Sequence, residues 1–192
     1  MKSLLTTAGL CLLGACATIT PDHYYILSPL PPGALEARAG SATPAILRVS
    51  LPALVDRSEM VLNTSADAVA VLEHERWAAP LAELVGQTLA QDLERRRTDL
   101  LVTGQGMIQP AGAAIKITID LVRVTIRSGK QASMDAHWRI LDARTGKESL
   151  GGDVFSAPLA EEGSSAVARA LSDCLSQLAD RLVAQLPATE KH

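Results

Sequence analysis

The nucleophilic and metal-ligating side chains of this sequence are few and far apart. Among its three cysteines and four histidines, no pair has the spacing of metal ligands on one element. The sequence also lacks a Gly-x-Ser-x-Gly elbow and a His-Glu-x-x-His helix. His137 and Asp135 stand two residues apart on one strand, an arrangement that is common on any solvated sheet face. We therefore expect no catalytic site, no metal and no cofactor, and we predict a binding or structural role.

The cysteine with a specific context is Cys16, which ends the sequence Leu-Gly-Ala-Cys. Lys2 and an apolar run at residues 4–13 precede it, which is the pattern of a secretory signal peptide. As a helix, this run would extend about 15 Å, half of a hydrocarbon core of about 30 Å, so it is too short for a transmembrane anchor. We therefore predict that residues 1–15 are a lipoprotein signal peptide and that the Cys16 thiol takes a diacylglyceryl group.

Residues 16–22 form a short tether between the predicted lipid and the folded chain. The six residues after Cys16 reach at most about 20 Å, so the domain should lie close to the membrane that the acyl chains enter. Ala17 occupies the position at which an aspartate favours retention in the inner membrane. We therefore expect the inner leaflet of the outer membrane, facing the periplasm. The alternative is an ordinary secretory signal that is cut after Ala15 or Ala17.

The composition indicates a single domain at residues 23–192 with an aliphatic core. Hydrophobic residues make up 47% of the 192 residues and aromatic residues 3%, so Leu, Val, Ile and Ala must fill the interior. The formal net charge of −3 gives no reason to expect nucleic acid. Cys174 has no disulfide partner within the chain once Cys16 is acylated. Its place on the apolar stripe of a helix predicts a buried, inert thiol.

Hydrophobic periodicity predicts two long helices and several strands. Apolar residues at three and four residue spacing indicate helices over residues 81–97 and 164–186. Alternation indicates a strand over 115–127, with a bulge near Leu121 where the phase slips by one residue. A second alternating strand at 132–140 should pair with the first as an antiparallel hairpin.

A further hairpin is predicted from residues 59–64 and 69–72, which a polar turn separates. Its strands are apolar throughout, which indicates burial on both faces or cover by a partner. Together these elements predict an α+β fold in two layers. It should be a mostly antiparallel sheet of about six strands with two long amphipathic helices on one face.

Several short segments, taken together in order and spacing, give this sequence a family likeness. They are Tyr24-Tyr25-Ile26-Leu27-Ser28-Pro29, Leu51-Pro52 with Asp56-Arg57, Arg76-Trp77-Ala78-Ala79-Pro80-Leu81, Ala136-His137-Trp138 and Ala170-Leu171-Ser172. With these segments the sequence resembles the ABC-type transport auxiliary lipoprotein family, to which paraquat-inducible protein C belongs. The resemblance covers nearly the whole mature chain. It implies a lipoprotein that accompanies an MCE-domain protein and its membrane permease complex in lipid transport across the envelope.

Under this interpretation, Cys16 holds the domain on the membrane and one sheet edge or face docks the MCE protein. The candidate partner-binding residues are Arg57, Ser58, Glu59 and Arg76, and a second copy of the chain is a further candidate partner. For Arg57 and Arg76, a local ion pair and a partner contact remain equally open. For Trp77 and Trp138, core packing is favoured over partner contact.

Two other function classes are weighed against docking. The first is a periplasmic lipid-binding carrier in which the apolar layer between helices and sheet opens as a pocket. The second, which the residues favour least, is an envelope hydrolase.

Overall fold

The computed structural model of the protein describes residues 20–30, 42–104, 110 and 112–188. Cys16 and the signal peptide lie outside the described residues. In the described part, the chain forms eight strands and two helices. They are β1 (His23–Tyr25), β2 (Thr43–Ser50), β3 (Glu59–Asn63), β4 (Val69–Trp77), α1 (Leu81–Arg96), β5 (Leu100–Thr103), β6 (Ile115–Arg127), β7 (Gln131–Asp142), β8 (Glu148–Pro158) and α2 (Ser164–Val183).

Five strands form what we call the large sheet, in the order β5-β2-β6-β7-β8. Strand β2 runs parallel to β5 and to β6, whereas β7 runs antiparallel to both β6 and β8. On β6, Ile115, Ile117 and Ile119 are buried on one face, as their alternation requires. The register with β7 shifts between Leu121 and Arg123, which confirms the predicted bulge.

The other three strands form what we call the small sheet, in the order β1-β4-β3. Strands β3 and β4 are the predicted antiparallel hairpin, and β1 lies parallel to β4. Met60 and Val61 of β3 are buried, because this strand packs beside β6. The side-chain oxygen of Asn63 accepts a hydrogen bond from the backbone N–H of Ile126 at 3.0 Å. The small sheet is therefore fixed to the far end of β6.

Both helices pack on one face of the large sheet, α1 over β2 and β5 and α2 over β7 and β8. Cys174 is completely buried on the inner side of α2, and burial raises the pKa of its thiol to about 12. A thiol with a pKa of about 12 is not a nucleophile at neutral pH, as the sequence predicts.

Between the helices, Arg96 Nε lies 2.6 Å from Asp180 Oδ1.

The α+β class and the two helices on one face are confirmed, but the strands are more numerous than the predicted six or so and do not form one sheet. The described chain has eight strands in two sheets, and three of the pairings are parallel. Parallel neighbours need a long crossover between them. Here the small-sheet hairpin and α1 separate β2 from β5, so β5 returns beside β2 in the same direction.

Candidate functional site

The four residues that the sequence nominates for partner binding lie together at one end of the small sheet. Arg57 Nε donates a hydrogen bond to Glu59 Oε2 at 2.9 Å. Arg76 reaches the same residue, with Nη1 3.3 Å from Glu59 Oε1, and also lies 3.3 Å from Ser58 Oγ. Arg57 beside Glu59 holds the pKa of this carboxyl below its usual range. Both arginines therefore form the local ion pairs that were one of the two open interpretations.

Asp22, the last residue of the tether, belongs to the same group of side chains. Its Oδ2 lies 3.1 Å from Arg76 Nε, and its Oδ1 lies 3.1 Å from His74 Nδ1. We call Asp22, Arg57, Ser58, Glu59, His74 and Arg76 the tether-side network. Because Asp22 lies six positions after Cys16, this network lies at the point where the tether enters the fold.

A second polar contact between β1 and β4 continues the tether-side network. His23 Nδ1 lies 3.0 Å from Glu75 Oε1. The pKa of Glu75 is lowered to about 2, mainly because Tyr25 hydrogen-bonds its carboxylate and further because His23 does so. The same carboxylate raises the pKa of Tyr25. Strand β1 has only three residues, so these side-chain contacts reinforce a short backbone ladder.

The roles of Asp22, His23, His74 and Glu75 are not apparent from the sequence alone. The signal that could have identified them is the run Glu73-His74-Glu75-Arg76 in β4, in which acidic and basic residues alternate. Such a run is usually solvated on one face of a strand. The Asp22-His23 pair just before Tyr24 complements this run of β4. The match becomes visible only once the parallel pairing of β1 with β4 is known.

The direction of β1 sets the direction from which the tether reaches the small sheet. Since β1 is parallel to β4, the residues before His23 lead towards the start of β4, where the β3–β4 hairpin turns. Thr20, the first described residue, is four positions after Cys16 and hence within about 14 Å of it. Near this entry, the side chains of Tyr24 and Ile26 are 65% and 60% exposed. Two large apolar side chains are thus exposed within and just after the strand into which the tether leads.

The chain that follows β1 is held across both helices. Leu27 is buried, and the backbone N–H of Ser28 donates to Ser172 Oγ of α2 at 3.1 Å. The N–H of Leu30 donates to Asp92 Oδ1 of α1 at 2.9 Å. Asp92 has no exposed surface, and burial raises its pKa. These contacts explain why the Tyr24–Pro29 and Ala170–Ser172 segments occur together in this sequence, because they pack on each other.

Both tryptophans are core residues, which agrees with the favoured interpretation. Trp77 is 3% exposed and Trp138 is 4% exposed, and Trp138 Nε1 donates to Gln185 Oε1 at 3.0 Å. The Trp138 ring lies directly over β8, where a Cβ on Gly151 would be 2.5 Å from it. Only glycine leaves room for the ring at this position.

The described residues contain no group of three or more His, Cys, Asp or Glu side chains placed to hold a metal ion. Asp135, which the sequence pairs with His137, lies 3.8 Å from Arg123 Nη1 instead. In the gap between α1 and β2, the cavity has a volume of about 10 Å³, which is no larger than a water molecule requires. That gap gives a carrier no room for lipid between helix and sheet.

Within the described ranges, neither helix has the length and apolar character that crossing a bilayer requires.

One protein family matches most of this sequence. A family model described as ABC-type transport auxiliary lipoprotein component matches residues 25–183. Among curated proteins, none matches this sequence.

Two solved structures share the fold. An uncharacterized protein has a TM-score of 0.70 at 15% identity, covering 86% of this chain and 99% of its own. A Xanthomonas campestris protein of the family DUF330 has a TM-score of 0.62 at 16% identity, covering 84% of this chain and 92% of its own. At such identities the two structures establish the fold alone.

Proposed function

The chain belongs to the ABC-type transport auxiliary lipoprotein family, and we propose that it docks an MCE-domain protein at the outer membrane. In this proposal, an acylated Cys16 anchors the domain in the inner leaflet, and the domain faces the periplasm. The MCE protein and its permease complex form the rest of the transport system. The role of this chain is to hold one end of that system against the bilayer.

The observation that carries the proposal is that the nominated docking residues and the end of the tether form one network. Arg76 contacts both Asp22 of the tether and Glu59 of β3. Ion pairs between exposed side chains are individually weak, about 0–1 kcal/mol each, but several that share partners restrain one another. The network thus fixes the tether to the small sheet. A protein bound at residues 57–59 would then be held at a defined height above the bilayer.

The surface around the network supports a membrane-proximal role. Tyr24 and Ile26 are exposed beside the tether, and amphipathic aromatic side chains favour the membrane interface. On the other side of the network, Leu54 is 54% exposed in the loop that leads to Arg57. Apolar groups of this kind, with a charged network between them, give a partner both contact area and orientation.

Site-specific photo-crosslinking in cells tests the docking surface. Ser58 is the most informative position for a photo-crosslinker, because its replacement removes hydrogen bonds of the Ser58 hydroxyl with Arg76 and Glu59 but leaves both ion pairs of Glu59 in place. Crosslinkers at Arg57 and Glu59 flank it. We expect these positions to capture an MCE-domain protein.

The matched control is a crosslinker at Thr145, in the turn between β7 and β8. Helix α2 begins beside β1, its 20 residues span about 30 Å, and just beyond its end Gln185 contacts Ser149 of β8. Thr145 thus lies at the opposite end of the fold, and we expect it to capture less MCE protein. Capture of only a second copy at Ser58 would show a self-association surface and would overturn docking there. No capture from a folded, membrane-bound protein would also overturn it.

A further inference from the structure

The large sheet has a second face, opposite the helices, on which no helix of the described chain packs. On this face a cleft of about 280 Å³ lies over strands β2, β6 and β7. We call it the distal cleft, and besides Ile117 the residues that line it are Ile46, Arg48, Lys116, Thr118, Arg139 and Leu141. Lys116 is ten residues along β6 from Ile126, which the small sheet contacts through Asn63, so the cleft is about 33 Å along the strand from that contact.

Strand register places three cations around one hydroxyl in this cleft. Thr118 on β6 is flanked by Arg48 on β2 and by Arg139 on β7. Adjacent strands are about 4.8 Å apart, and Lys116 is two positions before Thr118 on the same face. All three cationic chains therefore start within about 7 Å of the Thr118 backbone. A single anionic group above the Thr118 hydroxyl would be within reach of each of them.

These charges are not neutralised by the protein to the degree found elsewhere in the fold. Arg48 and Lys116 form no hydrogen bond or ion pair with any other residue that the structure describes. Arg139 has one loose contact, 3.6 Å from Glu148 Oε1. On the same face, the carboxylate of Asp120, two positions after Thr118, accepts a hydrogen bond from the Ser50 hydroxyl at 2.9 Å and keeps its charge, so the three cations face two carboxylates, those of Asp120 and Glu148. In a chain of net charge −3, this is a local excess of positive charge.

The surface beneath the charges is apolar. Ile46 and Leu141 are half-buried beside Lys116, since the register pairs both of them with that residue. The cleft continues into a second hollow of about 390 Å³, which shares Ile46 and Lys116 with it. Three alanines line this second hollow, at positions 113, 114 and 143, and Arg144 lines it as well. Cations at one end and an aliphatic trough beside them form an amphipathic binding surface.

We propose that the distal cleft binds a single-chain anionic amphiphile. Its acidic head group would lie over Thr118 among Arg48, Lys116 and Arg139, and its hydrocarbon chain would follow Ile46 into the second hollow. Charge-assisted hydrogen bonds from arginine to an acidic oxygen supply the polar part of the affinity, and burial of methylene groups supplies the rest. The cleft lies at the opposite end of the fold from the tether-side network, so this inference does not depend on the docking proposal.

Calorimetric titration with 1-oleoyl-lysophosphatidylglycerol, kept below its critical micelle concentration, tests the proposal. The protein is the exported chain with Cys16→Ala, so that no acyl group of its own competes. We expect saturable binding to one site. Arg48→Gln and Lys116→Gln should each weaken it about tenfold, which corresponds to about 1.4 kcal/mol for one lost charge-assisted contact.

Arg123→Gln is the matched control, because Arg123 is an exposed cation of the same strand outside the cleft. We expect it to change the dissociation constant less than twofold. Circular dichroism and thermal unfolding of each variant establish that it is folded. Equal weakening by Arg123→Gln would show attraction to the chain as a whole and would overturn the site.

Three further probes separate the sources of affinity. The zwitterionic 1-oleoyl-lysophosphatidylcholine should bind at least about tenfold more weakly, and sn-glycerol 3-phosphate, which has no acyl chain, should not displace the bound probe. Displacement by glycerol phosphate would reduce the cleft to a simple anion site. Tighter binding of a glutamate-rich peptide than of the lipid would assign the cleft to an acidic protein segment. Either result, or no binding by the unsubstituted chain, overturns the amphiphile proposal.

Discussion

The two ends of this molecule use the same residue types in opposite ways. At the tether-side network, Arg57 and Arg76 are both paired with carboxylates, and Arg76 bridges two of them. In the distal cleft, Arg48 and Lys116 have no partner among the described residues. The cations at the two ends differ more clearly in whether they are paired than in how exposed they are. Paired cations hold strands to each other, whereas unpaired ones remain available for a ligand.

This difference has consequences for stability. Removing Arg76 leaves Asp22 and Glu59 without the cation that joins them, and the short β1 ladder loses a support. Removing an unpaired arginine from a cationic cluster relieves repulsion between like charges on neighbouring strands. Loss of a charge at the tether-side network should therefore lower the stability of the free protein. Loss of a charge in the distal cleft should lower stability only when a ligand is bound.

The largest expected effect concerns the tether itself. We predict that Cys16→Ala, exported behind an ordinary cleavable secretory signal, releases the protein completely from membranes without unfolding it. The described fold begins at Thr20, and its contacts through Asp22 and Leu27 do not involve the thiol. Membrane fractionation with palmitate labelling measures the first part, and circular dichroism measures the second.

Cys174→Ala is the control for the loss of a thiol. Its side chain is buried in α2, so we expect about 1 kcal/mol of lost stability and unchanged membrane association. If the Cys16 variant stayed with membranes while the wild type took up no palmitate, the lipoprotein anchor would be wrong. The tether-side end would then have no special relation to a bilayer.

Much of the fold could be predicted from the sequence, because its elements have clear periodicities. The alternation along β6 and β7 gave the long hairpin, and the slip at Leu121 gave its bulge. The pairing of distant strands could not be predicted in the same way. Strand β1 has three residues, and nothing in its own sequence indicates that it lies parallel to β4. Parallel register depends on which surfaces the helices cover, and that is a property of the assembled layers.

The site was predicted in part for a similar reason. Arg57 and Arg76 stand in the family-like segments, Ser58 and Glu59 lead into the predicted apolar hairpin, and the β3–β4 pairing brings all four together. Asp22 was missed because its partner His74 is 52 positions away. The distal cleft was missed because Arg48, Lys116 and Arg139 come from three strands. Each of these cations alone looks like an ordinary solvent-facing residue of an alternating strand.

A matched pair of arginine substitutions sharpens the comparison between the two ends. Arg76→Met should lower the free energy of unfolding by about 1–2 kcal/mol, since it leaves Asp22 and Glu59 without the cation that joins them. Arg48→Met keeps a similar length of aliphatic chain and breaks no ion pair. We expect it to change stability by less than about 0.5 kcal/mol, or to increase it slightly. Urea unfolding of the two variants and the wild type gives both values. Equal losses would mean that pairing does not distinguish the two ends.

The smallest expected effect depends on pH and concerns Glu75, which joins β1 to β4 through Tyr25 and His23. Its pKa is about 2 in the fold, against 4.5 for an ordinary glutamate. A lowered folded-state pKa means that the ionised carboxylate adds stability above the unfolded value and loses it as the pH falls from about 4.5 towards 2. Glu75→Gln should therefore cost roughly 1 kcal/mol at pH 6, and the difference from wild type should shrink by pH 3.

Urea unfolding at pH 6, 5, 4 and 3 measures this difference directly, and Glu73→Gln provides the control. Glu73 is an exposed residue of the same strand, two positions before Glu75, so its substitution removes an equal charge without touching Tyr25 or His23. We expect its effect on stability to stay below about 0.5 kcal/mol at every pH. A deficit of Glu75→Gln that is unchanged between pH 6 and pH 3 would show that packing, and not the ionised carboxylate, holds β1 to β4. The tether side would then owe its cohesion to the apolar contacts of Tyr25 and Leu27 instead of its charges.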